Sequence, residues 1–296
     1  MCSQNESDCL GTQPRNHINQ SMRILNYVLK TLLFIFLTIF SQVGGLIYLL
    51  SILTHKYIER HIKNKILLVA SKIFAFLILY LLSTFVIIPL IAKPFGRVAM
   101  PITQTDNLRP LNILTCLLNR HYVHAELKET AFEVSRQMNN KYPGTVVNYL
   151  EANFPFLNGF PLVPHLSHND GKKLDLAFMY IDKSGKQTNE APSLIGYGIN
   201  EEPRGSERNM PEFCSEKGYW QYSFLSSLIP EGNKEDYTFD SHRTKYMVQL
   251  FATQSSIEKI FIEPHLKTRL NLTSEKIRFH GCQAVRHDDH LHVQLK

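Results

Sequence analysis

The sequence predicts an α+β chain, in which two transmembrane α-helices precede a domain built on a mixed or antiparallel sheet. Three observations predict it. Two uncharged apolar runs, Thr31–Thr54 and Phe74–Ala92, lie near the start. After Ala92 the sequence turns polar and mixes helix-period with strand-period segments. Finally, His290–Leu295 alternates apolar and polar residues as a half-buried strand does. The mean hydropathy of -0.15 averages these unlike regions. The expected division is an N-terminal tail at 1–23, a two-helix anchor at 24–92, a linker with a short helix at 93–124, and the domain at 125–296.

Each apolar run is long enough for the roughly 20 residues that cross a bilayer. A cleavable signal peptide does not fit, because the first run starts late and is too long for the apolar segment of such a leader. Gly44-Gly45 would permit close helix packing. Lys72 stands at the start of the second run, where it can snorkel. The connection His55–Lys65 carries Lys56, Arg60, Lys63 and Lys65, against Arg15, Arg23 and Lys30 before it and Lys93 and Arg97 after the second run. The positive-inside rule then places the connection in the cytoplasm and both flanks outside. The expected location is the cytoplasmic membrane, multi-pass, with the bilayer contacting residues 31–54 and 74–92 and the domain facing the periplasm or exterior.

Pro94, Gly96 and Pro101 mark Lys93–Asn107 as a linker. Leu111–Asn119 is a short helix candidate. In Ala125–Asn140, Leu127, Ala131, Val134 and Met138 recur at helical spacing, and Tyr142-Pro143-Gly144 supplies the stop. Thr145–Leu150 reads as a strand, and Asn153–Pro164 as an irregular wall or loop. Ile195–Met210, with Glu201, Glu202, Arg204, Glu207 and Arg208, reads as a solvated loop more readily than as a substrate contact. Trp220 is expected in the core or at a pocket rim. His242–Thr253 is a helix and Ile257–Glu263 a strand; His242, His265 and His280 have no informative spacing.

The formal charge of +6 could favour an anionic partner. No basic run is interleaved with stacking aromatics, which argues against nucleic acid and leaves an anionic envelope polymer or lipid surface. Of five cysteines none forms a CxxC pair, so a thiolate metal site is not expected. Cys2 is not in a lipobox, since no apolar segment precedes it. In an extracytoplasmic domain Cys116, Cys214 and Cys282 would be disulfide candidates, with one left over and the pairing open.

The chemistry-bearing residues fall in two clusters. In Ser167-His168-x-x-Gly171-x-x-x-Asp175, Gly171 allows a tight turn that returns His168 toward Asp175. Asp175 sits between Leu174 and Leu176, and a carboxylate in such a strand needs a cation or hydrogen-bond donors. In the second cluster, His287-Asp288-Asp289-His290-Leu291-His292, strand alternation puts His290 and His292 on one face. Both can reach one metal, with His287 as an outer partner. A structural Asp175 and a histidine-rich segment with incidental metal affinity are the bland alternatives.

These motifs resemble the metallopeptidases grouped around lysostaphin, D-Ala-D-Ala carboxypeptidases and the Sonic hedgehog domain, whose pattern is S-x-H-x(6)-D and a distant H-x-H. Here the serine directly precedes the histidine, which departs from the wider group and agrees with the S-H-x-x-G-x-x-x-D form of the penicillin-insensitive murein endopeptidases. His165, His287 and the segment Ile257–Leu270 extend the likeness, which covers about Asn148 to Lys296. The resemblance implies a zinc-peptidase domain in which His168, Asp175 and His292 bind Zn2+. It also implies that His290 is catalytic and that His165 and His287 are accessory. Such a ligand set leaves zinc a fourth position for water, whose pKa it lowers. The implied substrate is the peptide of cell-wall peptidoglycan. A D-Ala-D-Ala-type carboxypeptidase, a non-catalytic membrane-tethered zinc module and a membrane protease acting on proteins stay open at this point.

Overall fold

The computed structural model describes residues 13–220, 222 and 233–296, with side chains from Gln20 onward; Cys2, Cys9 and the first part of the expected tail lie outside the described residues. The chain divides into two compact units, one ending at Tyr80 and one running from Leu81 to Lys296.

The first unit is helical. Helix Gln13–Ser41 begins inside the expected tail, helix Gly44–His61 follows, and a third helix starts at Lys65. Among the described residues two helices are long and apolar enough to cross a membrane: Gln20–Ser41, of 22 residues, and Lys65–Ile91, of 27. The expected span Thr31–Thr54 is corrected, because it is not one helix. Gln42 breaks it with a left-handed φ of 63°, and the Ser41 hydroxyl caps the next helix by accepting from the Gly44 amide at 2.9 Å. The two helices then pack together. A Cβ at Gly45 would meet Thr38 Oγ1 at 2.0 Å and one at Gly44 would meet Ser41 Oγ at 2.6 Å. The glycine pair is therefore what lets the second helix close on the first. Asn64 caps the third helix through the amides of Ile66 and Leu67.

The third helix, Lys65–Leu82, belongs to the first unit up to Tyr80; the second unit begins with its last turn and continues through a π turn, Ser83–Ile87, to Ile91. The stretch expected as a linker is built into the fold. Strand β1 (Val98–Ala99) pairs antiparallel with β3 (Tyr122–Val123), and β2 (Leu108–Pro110) pairs parallel with β4 (Val147–Tyr149). The central sheet also contains β5 (Lys173–Ala177), β9 (Ile257–Phe261), β10 (Ile277–Arg278) and β11 (His290–Leu295), in the order β10-β9-β11-β5-β4-β2. Its outer pairs are parallel and its inner pairs antiparallel, so the sheet is mixed. A small sheet of β7 (Gln187–Thr188), β6 (Tyr180–Asp182) and β8 (Tyr237–Phe239) lies beyond.

Helices Ala125–Lys141 and Ser241–Thr253 pack on each other. Leu127, Ala131, Val134 and Met138 from one, with Met247, Val248 and Phe251 from the other, join Leu174, Leu176, Leu291, Val293 and Leu295 in one core. Asp240 caps the later helix by accepting from the Arg243 amide at 3.0 Å. Burying each large apolar side chain contributes about 1.5–3 kcal/mol, so a one-residue slip of β11, which would turn three of them outward, is strongly disfavoured. That register leaves the opposite face of β5 and β11 to polar residues. Cys214 and Cys282 form a disulfide and Cys116 is free and buried. Trp220 is 70% exposed, contrary to the expectation of a core or rim position, while its neighbour Tyr222 is buried with Met210 and Cys214.

Candidate metal centre

The two clusters meet at the middle of the sheet, where β5 and β11 run antiparallel with Asp175 opposite His292. Alternation sends Leu174, Leu176, Leu291 and Val293 into the core and turns Asp175, His290 and His292 to the other face. His168 arrives from the turn before β5. Gly171 makes that turn with φ of +81°, and a Cβ there would lie 2.4 Å from the Arg97 guanidinium.

His168, Asp175 and His292 are all buried and could hold a metal ion. His168 Nε2, Asp175 Oδ1 and His292 Nδ1 form a triangle with sides of 3.1, 3.2 and 2.9 Å. Ligands about 2.0–2.1 Å from a common tetrahedral centre would stand about 3.3 Å apart, so these atoms need only small shifts to share an ion. His168 Nδ1 lies 2.7 Å from the Ala152 carbonyl, and donating to it leaves Nε2 to face the centre. His290 Nε2 is buried without a hydrogen-bond partner, 3.7 Å from Asp175 Oδ2. A donor set of two imidazoles and a carboxylate, with a third imidazole nitrogen left facing them, fits a metal that keeps one coordination position open.

The surrounding charges reinforce this. Burial opposes charge on Asp175, yet His168, His290 and His292 hold it well below the usual carboxylate range. Burial also opposes a charged His290, but Asp289 and Asp175 push it up to about 9. For His292 burial dominates and lowers it to about 3, which keeps it neutral, as a metal ligand must be. His287 is likewise held well below its ordinary value by burial and by the neighbouring histidines.

The accessory residues also reach the site. His165 Nδ1 is 2.6 Å from Glu151 Oε2, and Glu151 in turn takes Arg120 at 2.6 Å. The His287 ring lies 5.0 Å from that of His290. Sequence reasoning missed four participants. Tyr197 donates its hydroxyl to Asp175 Oδ2 at 2.8 Å, and its ring lies 4.7 Å from His165 and 4.9 Å from His290. Part of the segment expected to be a solvated loop is therefore packed into the site. Asp289 pairs with His290 Nδ1 and is itself held by the Gly198 amide at 2.6 Å. Glu151 orients His165, and His280 stacks on Phe261 at 4.1 Å beside His287 and His292. His265 instead bonds the Glu201 carbonyl at 2.7 Å, and His242 is exposed.

A cleft of about 350 Å³ opens on these groups, with Leu166, Gln283, Ala284 and Val285 among its walls. A larger groove of about 770 Å³ runs past Arg109, Asn189 and Glu190, but it lacks convergent metal-ligating groups among the described residues. The smaller cleft is therefore the candidate site. The sequence matches no protein-family model and no curated protein.

Proposed function

We propose that the protein is a membrane-anchored, zinc-dependent peptidase that hydrolyses peptide bonds of cell-wall peptidoglycan. The observation that carries this reading is the convergence of His168, Asp175 and His292 in one cleft with the buried Nε2 of His290 beside them. The likeness of both motifs to the murein endopeptidases supports the substrate class. The disulfide and the membrane-length helices support a domain outside the cytoplasm.

Held by the three ligands, zinc would act as a Lewis acid on the scissile carbonyl and on the attacking water. A cation seated on Asp175 would offset the carboxylate charge that holds the His290 ring protonated, and the neutral ring then moves the proton: it takes it from that water and delivers it to the leaving amine. Asp289, on His290 Nδ1, fixes the ring so that Nε2 faces the cleft. Tyr197 holds the second oxygen of Asp175 and so orients the ligand. The mixed apolar and polar cleft walls would seat the peptide.

Metal analysis of the purified full-length protein, followed by digestion of muropeptides, tests the proposal. Zinc near one equivalent and cleaved stem or cross-link peptides are expected. His168→Ala should lose both, whereas His290→Ala should keep the zinc and lose about 10²–10⁴-fold in rate. Zinc without cleavage of any muropeptide would point to a non-catalytic metal module, and a protein that takes up no metal would end both readings.

A further inference from the structure

We infer that the first apolar run enters only one leaflet of the bilayer and returns, so that the chain crosses the membrane once. The break at Gln42 divides the uncharged run into two helical arms, Thr31–Ser41 and Gly44–Thr54, of eleven residues each. At 1.5 Å per residue each arm reaches about 17 Å, little more than half of the roughly 30 Å hydrocarbon core. Helix Gln20–Ser41 is long enough to cross as a whole, but Lys30 stands at its midpoint. A crossing would place that ammonium at the bilayer centre, where a charged side chain is strongly disfavoured.

The hairpin removes this conflict. Its arms pack through Phe34, Leu37, Thr38 and Ser41 against the glycine pair. Lys30 lies within electrostatic reach of His55 across the hairpin, so the charged positions of both arms meet at its open end. Glu59 there pairs with Lys72 of the third helix at 2.6 Å. Outward from the packed seam, Ile35, Phe36, Ile39, Leu46, Leu49 and Leu53 are exposed. The tip thus offers apolar side chains to acyl tails and the open end offers cations to anionic headgroups.

The topology changes with it. Arg15, Arg23 and Lys30 now lie on the same side as Lys56, Arg60, Lys63 and Lys65, against Lys93 and Arg97 beyond the single crossing at Phe74–Ala92. Seven basic residues now stand against two across the membrane, and the positive-inside rule puts the larger group in the cytoplasm. The domain keeps its outward assignment, and the N-terminal flank moves inside.

The inference rests on membrane association and is independent of the peptidase reading. Its test is cysteine labelling of the full chain in cells, with Cys2→Ser and Cys9→Ser as background. Cys214 and Cys282 are joined, and burial pushes the Cys116 thiol up to about 11, so neither adds signal. With an impermeant maleimide, Ser21→Cys and Asn64→Cys should label only after the cells are opened, and Gln42→Cys should label from neither side. Labelling of Ser21→Cys or Gln42→Cys on intact cells would overturn the hairpin. Protease access to an N-terminal tag gives the same decision without new cysteines. Recovery of the chain in the soluble fraction would instead remove the membrane reading itself.

Discussion

Asp175 is the residue on which the site turns, because each of its oxygens has a separate task. Oδ1 faces His168 and His292, and Oδ2 accepts from Tyr197. Tyr197→Phe deletes that donor while keeping the ring between His165 and His290. Since outer partners of metal ligands typically govern 10–100-fold in affinity, metal binding should weaken about tenfold or more, which competition with a chromophoric chelator would read. Glu151 differs in kind. It is buried between Arg120 and His165, with side chains 8%, 7% and 5% exposed. Glu151→Ala leaves a guanidinium buried without its carboxylate, so about 3–5 kcal/mol of stability should be lost. Thermal unfolding checks this, and a change below about 1 kcal/mol would show that solvent reaches Arg120 in the variant.

At the scale of elements, the site depends on the β5–β11 register and on the turn that feeds β5. Gly171→Ala tests the turn. The new methyl meets the Arg97 guanidinium, which is tied to His124 at 3.1 Å and paired with Asn158. Together with the left-handed φ, this should cost about 1–3 kcal/mol and displace His168, so a lower Tm and weaker metal binding should appear together. Much of this was legible in the sequence. Leu291, Val293 and Leu295 announce a strand with its histidines on one face, and the apolar neighbours of Asp175 place it inside. Tyr197 and Glu151 were not legible, because they act through distances that only the closed sheet creates. Asp289 lies inside the cluster His287–His292, but strand alternation said nothing of its grip on His290. The helix break at Gln42 had a signal in Ser41-Gln42-Val43-Gly44-Gly45, and the uncharged length of the run outweighed it. The strands at 98–110 were hidden by prolines and glycine that read as linker, although Arg97 and Met100 are buried.

For the whole molecule, the proposed metal should act as a clamp on the fold. His168 and Asp175 precede and form β5, while His292 lies in β11, so the ligands come together only when the central sheet has closed. An ion that binds the folded chain and not the unfolded one adds about 2.7 kcal/mol at a free concentration of one hundred times its Kd. For a unit of this size each kcal/mol is worth about 2–4 °C, so saturating zinc should raise Tm by about 5–10 °C over protein treated with a chelator. His168→Ala should abolish the rise without needing any substrate assay. His290→Ala should retain it, because that imidazole faces the ligands from β11 without belonging to their triangle. A rise that persists in His168→Ala would locate the ion elsewhere. A rise lost in both variants would make His290 a ligand and leave proton transfer to another group. Differential scanning calorimetry of three proteins in zinc and in chelator therefore separates holding the metal from working beside it.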